Sequence, residues 1–155
     1  MNKPVSFLFQ LHRSTTNSQT LSSGNEMINS NDRLHYAIKS GISKHLRTLA
    51  TYQGKTVINK SKYKVPLFTK QTPCYMLVYI SPPTNMRMDA PNWYPTVKPL
   101  LDGLVDAGIL EDDNNQIITS LTFLPSSKSK SKKYEITLQF YQGELNITTE
   151  EGFNA

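Results

Sequence analysis

A single cysteine, Cys74, excludes any disulfide within the chain, and no Cys/His spacing suits structural zinc. A reducing compartment is the simpler setting. Nowhere do apolar residues run for the roughly 18 positions that a membrane span needs. The first fourteen residues carry Lys3, His12 and Arg13 and lack the apolar stretch of a signal peptide. The expectation is a soluble cytoplasmic protein with no membrane partner. No internal repeat breaks up the 155 residues, a length suited to one domain with its own core. Negative charge is also scarce over most of the chain. Outside residues 87–113 there are fifteen basic residues against six acidic ones.

Inside that window the balance reverses. Arg87 and Lys98 stand against Asp89, Asp102, Asp106, Glu111, Asp112 and Asp113, which include five of the six aspartates in the sequence. A basic body around concentrated carboxylates suits a protein that holds a polyanion and a hard cation together. A solvated acidic loop on a mildly basic protein is the plainer alternative. A calcium loop starting at Asp112 is excluded, since Ile117 takes the place of its glycine and Phe123 that of its closing glutamate.

Hydrophobic periodicity supplies the elements around the window. Val5, Phe7, Phe9 and Leu11 alternate as in a half-buried strand. Residues 14–30 have the Ser/Thr/Asn composition of a long loop. A helix is predicted over 32–50, capped by Ser30 or Asn31, with the stripe Leu34, Ile38, Ile42, Leu46 and Leu49. Arg33, Lys44 and Arg47 fall together on another of its faces. Residues 52–72 are polar and basic, and 55–58 read as extended. Residues 75–80 form an apolar run suited to an interior strand.

A second helix is predicted over 96–107, with Pro95 or Pro99 tolerated only in its first turn and Gly108 as its C-cap. Two further strands, 117–124 and 134–141, flank a tip carrying Lys128, Lys130, Lys132 and Lys133, and together they read as a hairpin. The domain is expected to span 1–141, followed by a polar tail over 142–155.

Lys98 and Asp102, four residues apart on the second helix, share one edge and can face the same point. Asp89 precedes that helix, and Asp112 and Asp113 follow it. Spacing alone leaves open whether the chain folds back after Gly108 to join the two ends.

The order Arg87, Asp89, Asn92, Lys98, Asp102-Gly-Leu104, Ala107-Gly108, Asp112-Asp113 resembles the RusA family of Holliday junction resolvases, many of them carried by phages and prophages. The resemblance is strong over residues 87–118. It implies an α/β (α+β) fold with helices on a small mixed sheet, and a homodimer that cuts four-way DNA junctions in pairs with Mg²⁺ (or Mn²⁺). Asp89 takes the place of the family's first metal-binding aspartate, Lys98 that of its catalytic lysine, and Asp113 that of its last aspartate. Asp102 and Asp112 are the remaining candidate metal ligands. The sequence departs from the pattern at Pro91, where the family has a second acidic ligand, and three extra residues separate Asn92 from Lys98. The upstream basic run is reduced to Arg87. The alternative is therefore a junction-binding protein of the same fold with impaired catalysis.

Beside such a site, the candidate DNA contacts are Arg87 and Asn92 in the motif, Arg33, Lys44 and Arg47, and the tip lysines Lys128, Lys130, Lys132 and Lys133. Phe68, Trp93 and Tyr94 are candidates to stack on unpaired bases, with core packing the plainer role for Trp93. His45, on the apolar side of its helix, reads as a packed core histidine.

Overall fold

The structure, a computed structural model, describes residues 3–14, 24–60 and 64–145. The long polar loop falls partly outside these residues, and so does the expected tail from 146 onward. Four strands form one mixed sheet in the order β1-β4-β2-β3, where β1 is Val5–Leu11, β2 is Cys74–Ser81, β3 is Ile118–Pro125 and β4 is Tyr134–Gln142. β4 runs antiparallel to both β1 and β2, and β2 runs parallel to β3. Two helices, α1 (Tyr36–Lys60) and α2 (Tyr94–Ala107), pack on this sheet and complete an α+β fold. No helix among the described residues is long and apolar enough to cross a membrane.

The period of two explains the covered face. Phe7 pairs with Leu138, which pairs with Val78, which pairs with Phe123, so the inward residues of all four strands line one surface. Phe9, Leu11, Met76, Ile80, Ile136 and Phe140 extend it and are fully or almost fully buried. Each such side chain contributes about 1.5–3 kcal/mol of transfer free energy. Ile42 and Leu46 of α1, and Leu100 and Leu104 of α2, close the core from above. Cys74 lies inside, where burial pushes its thiol up to about 12 and keeps it neutral.

Several expectations need correction. α1 begins at Tyr36 rather than at Asp32, and it runs on to Lys60 through the segment expected to be extended. Asp32 is engaged elsewhere, and the cap is His35, whose Nδ1 accepts the Ala37 N–H at 3.2 Å. Arg33 therefore precedes the helix and does not share a helical face with Lys44 and Arg47. At the other end the inward stripe continues through Ala50 and Gly54, with Val57 and Ile58 half-buried. Packing against α2 overrides the weak propensity of Gly and the β-branched residues here. Gly54 fits because a Cβ there would stand 2.5 Å from the Ala107 Cβ.

α2 matches its expected end, with Gly108 in the left-handed region at φ 88°. Its start is earlier, at Tyr94, and a 3₁₀ turn over Ala90–Trp93 leads into it. Pro99 consequently lies inside the helix rather than in its first turn. Because it has no N–H, it leaves the Pro95 carbonyl without its usual i+4 donor.

β3 and β4 are not a hairpin, since they lie on opposite sides of β2. The lysine-bearing segment 126–133 crosses over the C-terminal end of β2. There the Ser126 N–H donates to the Ile80 carbonyl (3.1 Å) and the Ser129 N–H to the Pro82 carbonyl (2.8 Å). The buried Ser129 hydroxyl holds this crossing together, 2.7 Å from the Ser131 carbonyl oxygen and 2.6 Å from that of Lys133.

Candidate active site

Parallel strands need a crossover, and α2 is the crossover from β2 to β3. It places Lys98 and Asp102 on one edge, where the ammonium donates to Asp102 Oδ1 at 2.6 Å. After Gly108 the chain turns back. Ile109 and Leu110 are buried, and the backbone around Leu110 pairs with Phe68 through Phe68 N–H to Ile109 O (3.1 Å) and Glu111 N–H to Phe68 O (2.9 Å). A tight polar turn follows. Asp112 Oδ1 accepts the Asp113 N–H at 2.8 Å and its Oδ2 accepts from the Asn114 side chain at 3.0 Å. The Ile117 and Ile118 N–H groups both donate to the Asn114 carbonyl.

This turn delivers Asp113 to Lys98, which donates to its Oδ2 as well. The return that spacing left open is thus made. One ammonium joins two carboxylates, and its third N–H remains for another acceptor. Burial works against the charge on Lys98, but the hydrogen bonds to Asp102 and Asp113 outweigh it and raise its pKa above the ordinary lysine range. Lys98 is a fixed positive charge at neutral pH and not a proton acceptor. In turn, the hydrogen bond from Lys98 holds the Asp113 carboxyl below the usual range against partial burial.

These shifts have a pH signature. A carboxyl lowered in the folded state stabilises the fold above its unfolded pKa of about 4, and that stabilisation is lost as pH falls through the folded value. For Lys98 the sign reverses, with stability present below about 10.4 and lost as pH rises through the raised value. The pair should therefore hold from about pH 5 to about pH 10. Asp113→Asn should take up fewer protons on acid unfolding than the parent. Potentiometric titration of both proteins across the acid transition checks this, and equal uptake would show that Asp113 is not held by Lys98.

The other candidate residues divide by position. Asp89 sits just before the 3₁₀ turn and is exposed, and among the described residues its carboxylate takes no hydrogen bond or ion pair. The structure thus gathers Lys98, Asp102 and Asp113, with Asp112 joined through the turn, while Asp89 stands outside that bonded group. Among the described residues no group of three or more His, Cys, Asp or Glu side chains is arranged to hold a metal ion. The two carboxylates that do converge, Asp102 and Asp113, meet at the Lys98 ammonium, and they offer only oxygen donors, the type that hard cations take.

Arg87 is exposed in the loop before Asp89, and Asn92 is half-buried in the 3₁₀ turn. Lys44 is exposed on α1, whereas Arg47 is forked onto Asp106 at 2.5 and 2.8 Å. Lys128, Lys130, Lys132 and Lys133 are exposed on the segment crossing β2, next to the loop that leads to Asp89. Of the proposed stacking residues, Phe68 and Trp93 are both buried and only Tyr94 is exposed. Phe68 packs 6.0 Å from Phe140 and belongs to the core. Tyr94 lies edge-on to Phe123.

A brace behind the site escaped sequence reasoning altogether. Arg13, just after β1, grips Asp32 with both arms (2.6 and 2.5 Å), donates to the Met27 carbonyl and lies 5.3 Å over the Trp93 ring. Burial would raise the Asp32 carboxyl, but Arg13 and the Asn29 N–H hold it below its ordinary value. The Thr96 hydroxyl donates to the Ile28 carbonyl and accepts the Ile28 N–H, both at 2.8 Å. The Ser30 N–H donates to the Asn92 carbonyl. Residues 25–32 thus pin the 3₁₀ turn and the first turn of α2. His45 is not a core residue. It is half-exposed and paired with Glu26 at 2.8 Å.

No protein-family model matches this chain, and a search of curated proteins returns no match.

Proposed function

We propose that this chain is a magnesium-dependent endonuclease for branched DNA, acting as a homodimer on four-way junctions in the manner of the RusA resolvases it resembles. The observation that carries the reading is the Lys98 ammonium held between Asp102 and Asp113, fifteen residues from the latter in sequence. Lys98 would present its remaining N–H to a phosphate oxygen and stabilise charge that develops in the transition state. Asp102, Asp112 and Asp113, with Asp89, would hold the cation (Mg²⁺, or Mn²⁺ in its place), which supplies polarisation of the phosphoryl oxygen and a more acidic water. The lysines of 126–133, tied to the end of β2 beside the Arg87–Asp89 loop, support a phosphate-backbone contact there. An open outer edge on β3, with Leu121 and Phe123 only partly buried, supports a two-fold partner.

A second reading is a junction-binding protein that does not cut. Pro91 and the separation of Asp89 from the Lys98 group favour it. Incubating a four-way junction and a matched linear duplex with and without Mg²⁺ separates the two. Junction cleavage only with Mg²⁺ supports the first, metal-independent binding without cleavage supports the second, and the absence of both cleavage and binding would sink both. Within the first reading, Asp89→Asn should cut at least about 100-fold more slowly with junction affinity retained. Parental cutting by that variant would remove Asp89 from the site.

A further inference from the structure

α1 carries Lys39, Lys44, Arg47, Lys55 and Lys60 over its 25 residues and has no Asp or Glu at all. Lys44, Arg47, Thr48, Thr51, Tyr52 and Lys55 recur at intervals of three and four, so they form one stripe. This stripe lines an open cleft of about 430 Å³ along the seam with α2, where Asp106 is the one acidic wall residue. On the α2 side, Lys98, Asp102 and Asp106 succeed one another at four-residue steps along a single helix edge. That edge leads from the cleft wall at Asp106 back toward Lys98. Arg47, forked onto Asp106, still has N–H groups on its other arm to offer. Tyr52 is 75% exposed and lines this cleft, so its ring face is open to a stacking partner.

Resting on the nuclease reading above, we propose that the α1–α2 seam is a track for a single strand of nucleic acid leaving the Lys98 site. Lys44 and Lys55 bind its phosphates, Arg47 is oriented toward them by Asp106, and Tyr52 stacks on an unpaired base. Eleven residues at 1.5 Å each put Lys44 and Lys55 about 16 Å apart along the helix. That spans several successive phosphates. An anionic membrane is the poorer occupant, because a membrane-seated helix needs an apolar face beside its basic one and this stripe offers Tyr52 alone.

The test uses fluorescence anisotropy in EDTA, with a blunt duplex, a duplex bearing a single-stranded flap, and a four-way junction. Lys44→Gln/Lys55→Gln should bind the flap about 10-fold more weakly at 0.1 M salt, with the log K against log salt slope reduced by about 1.4. Tyr52→Ala should bind the flap at least about 5-fold more weakly and the blunt duplex like the parent. Both substitutions lie on an exposed face, and unchanged circular dichroism and melting would confirm intact folding. Parental flap binding by both variants would overturn the track and leave the nuclease reading standing. A parent that binds none of the three DNAs would overturn both. Loss of binding to phosphatidylserine vesicles in the lysine variant, with DNA binding unchanged, would assign the stripe to a membrane and overturn the track.

Discussion

If the chain cuts junctions as proposed, Lys98→Met should slow cleavage by about two to three orders of magnitude, the usual loss when a charge-stabilising donor is removed from a phosphoryl or acyl transfer site. A second effect distinguishes this site from an ordinary surface pair. Without the ammonium, the carboxylates of Asp102 and Asp113 face one point with no counter-charge between them. Their repulsion should lower the melting temperature at neutral pH. A divalent cation that binds only the folded state restores stability by mass action, about 2.7 kcal/mol at 100 times its dissociation constant. Melting of the variant should therefore rise with millimolar MgCl₂ more steeply than melting of the parent. Scanning fluorimetry with and without Mg²⁺, beside single-turnover cleavage, reads both effects. Parental cleavage by Lys98→Met would remove the lysine from the mechanism, and cation-insensitive melting would show that the two carboxylates do not share a site.

Gly103→Ala should be among the most destabilising single-methyl additions in the molecule. A Cβ at Gly103 would overlap the Arg47 carbonyl oxygen and stand 2.7 Å from the Ala50 Cβ and 3.0 Å from the Thr51 amide nitrogen. The obstacle is largely helix backbone, which cannot rotate away as a side chain end would. Alanine gains about 1 kcal/mol of helix propensity over glycine. Forcing the two helices apart costs more, about 3 kcal/mol or above, because it also opens the packing around Leu46, Ala50 and Leu104. The net loss should lower the melting temperature by several degrees. Asp102 adjoins Gly103, so on the nuclease proposal cleavage should fall further than the unfolded fraction explains. Urea denaturation gives the stability change directly. A parental midpoint would mean that the helices can separate without loss.

Legibility in the sequence followed the range of the interaction. β1, β2, β4 and the body of α2 are written in local periodicity, and Gly108 marks a helix end because a left-handed residue is needed there. Lys98 and Asp102 were readable for the same reason, being one helical turn apart. The last two turns of α1 were not, since Gly54 looks like a breaker until Ala107 is known to lie against it. β3 and β4 passed for a hairpin because neighbours in sequence are usually neighbours in a sheet. Here β2 lies between them. The meeting of Asp113 with Lys98 depends on the buried pair Phe68 and Leu110 turning the chain back, and no local pattern encodes that. The Arg13–Asp32–Trp93 brace draws on three distant segments and left no trace in any of them.

The strand order has a consequence for synthesis. Among the described strands β4 comes last in sequence, yet there it supplies the hydrogen-bonded partner of β1 and one of the two partners of β2. Until β4 is available, β1 lacks the strand that pairs with it, and Phe7, Phe9 and Leu11 lack their neighbours on β4. β1 therefore stays without that partner until the segment through β4 has been made. Pairing β1 with β4 joins segments far apart in sequence, a high-contact-order contact that slows folding. A ribosome that stops short of β4 releases a protein with an open seam through the middle of its sheet.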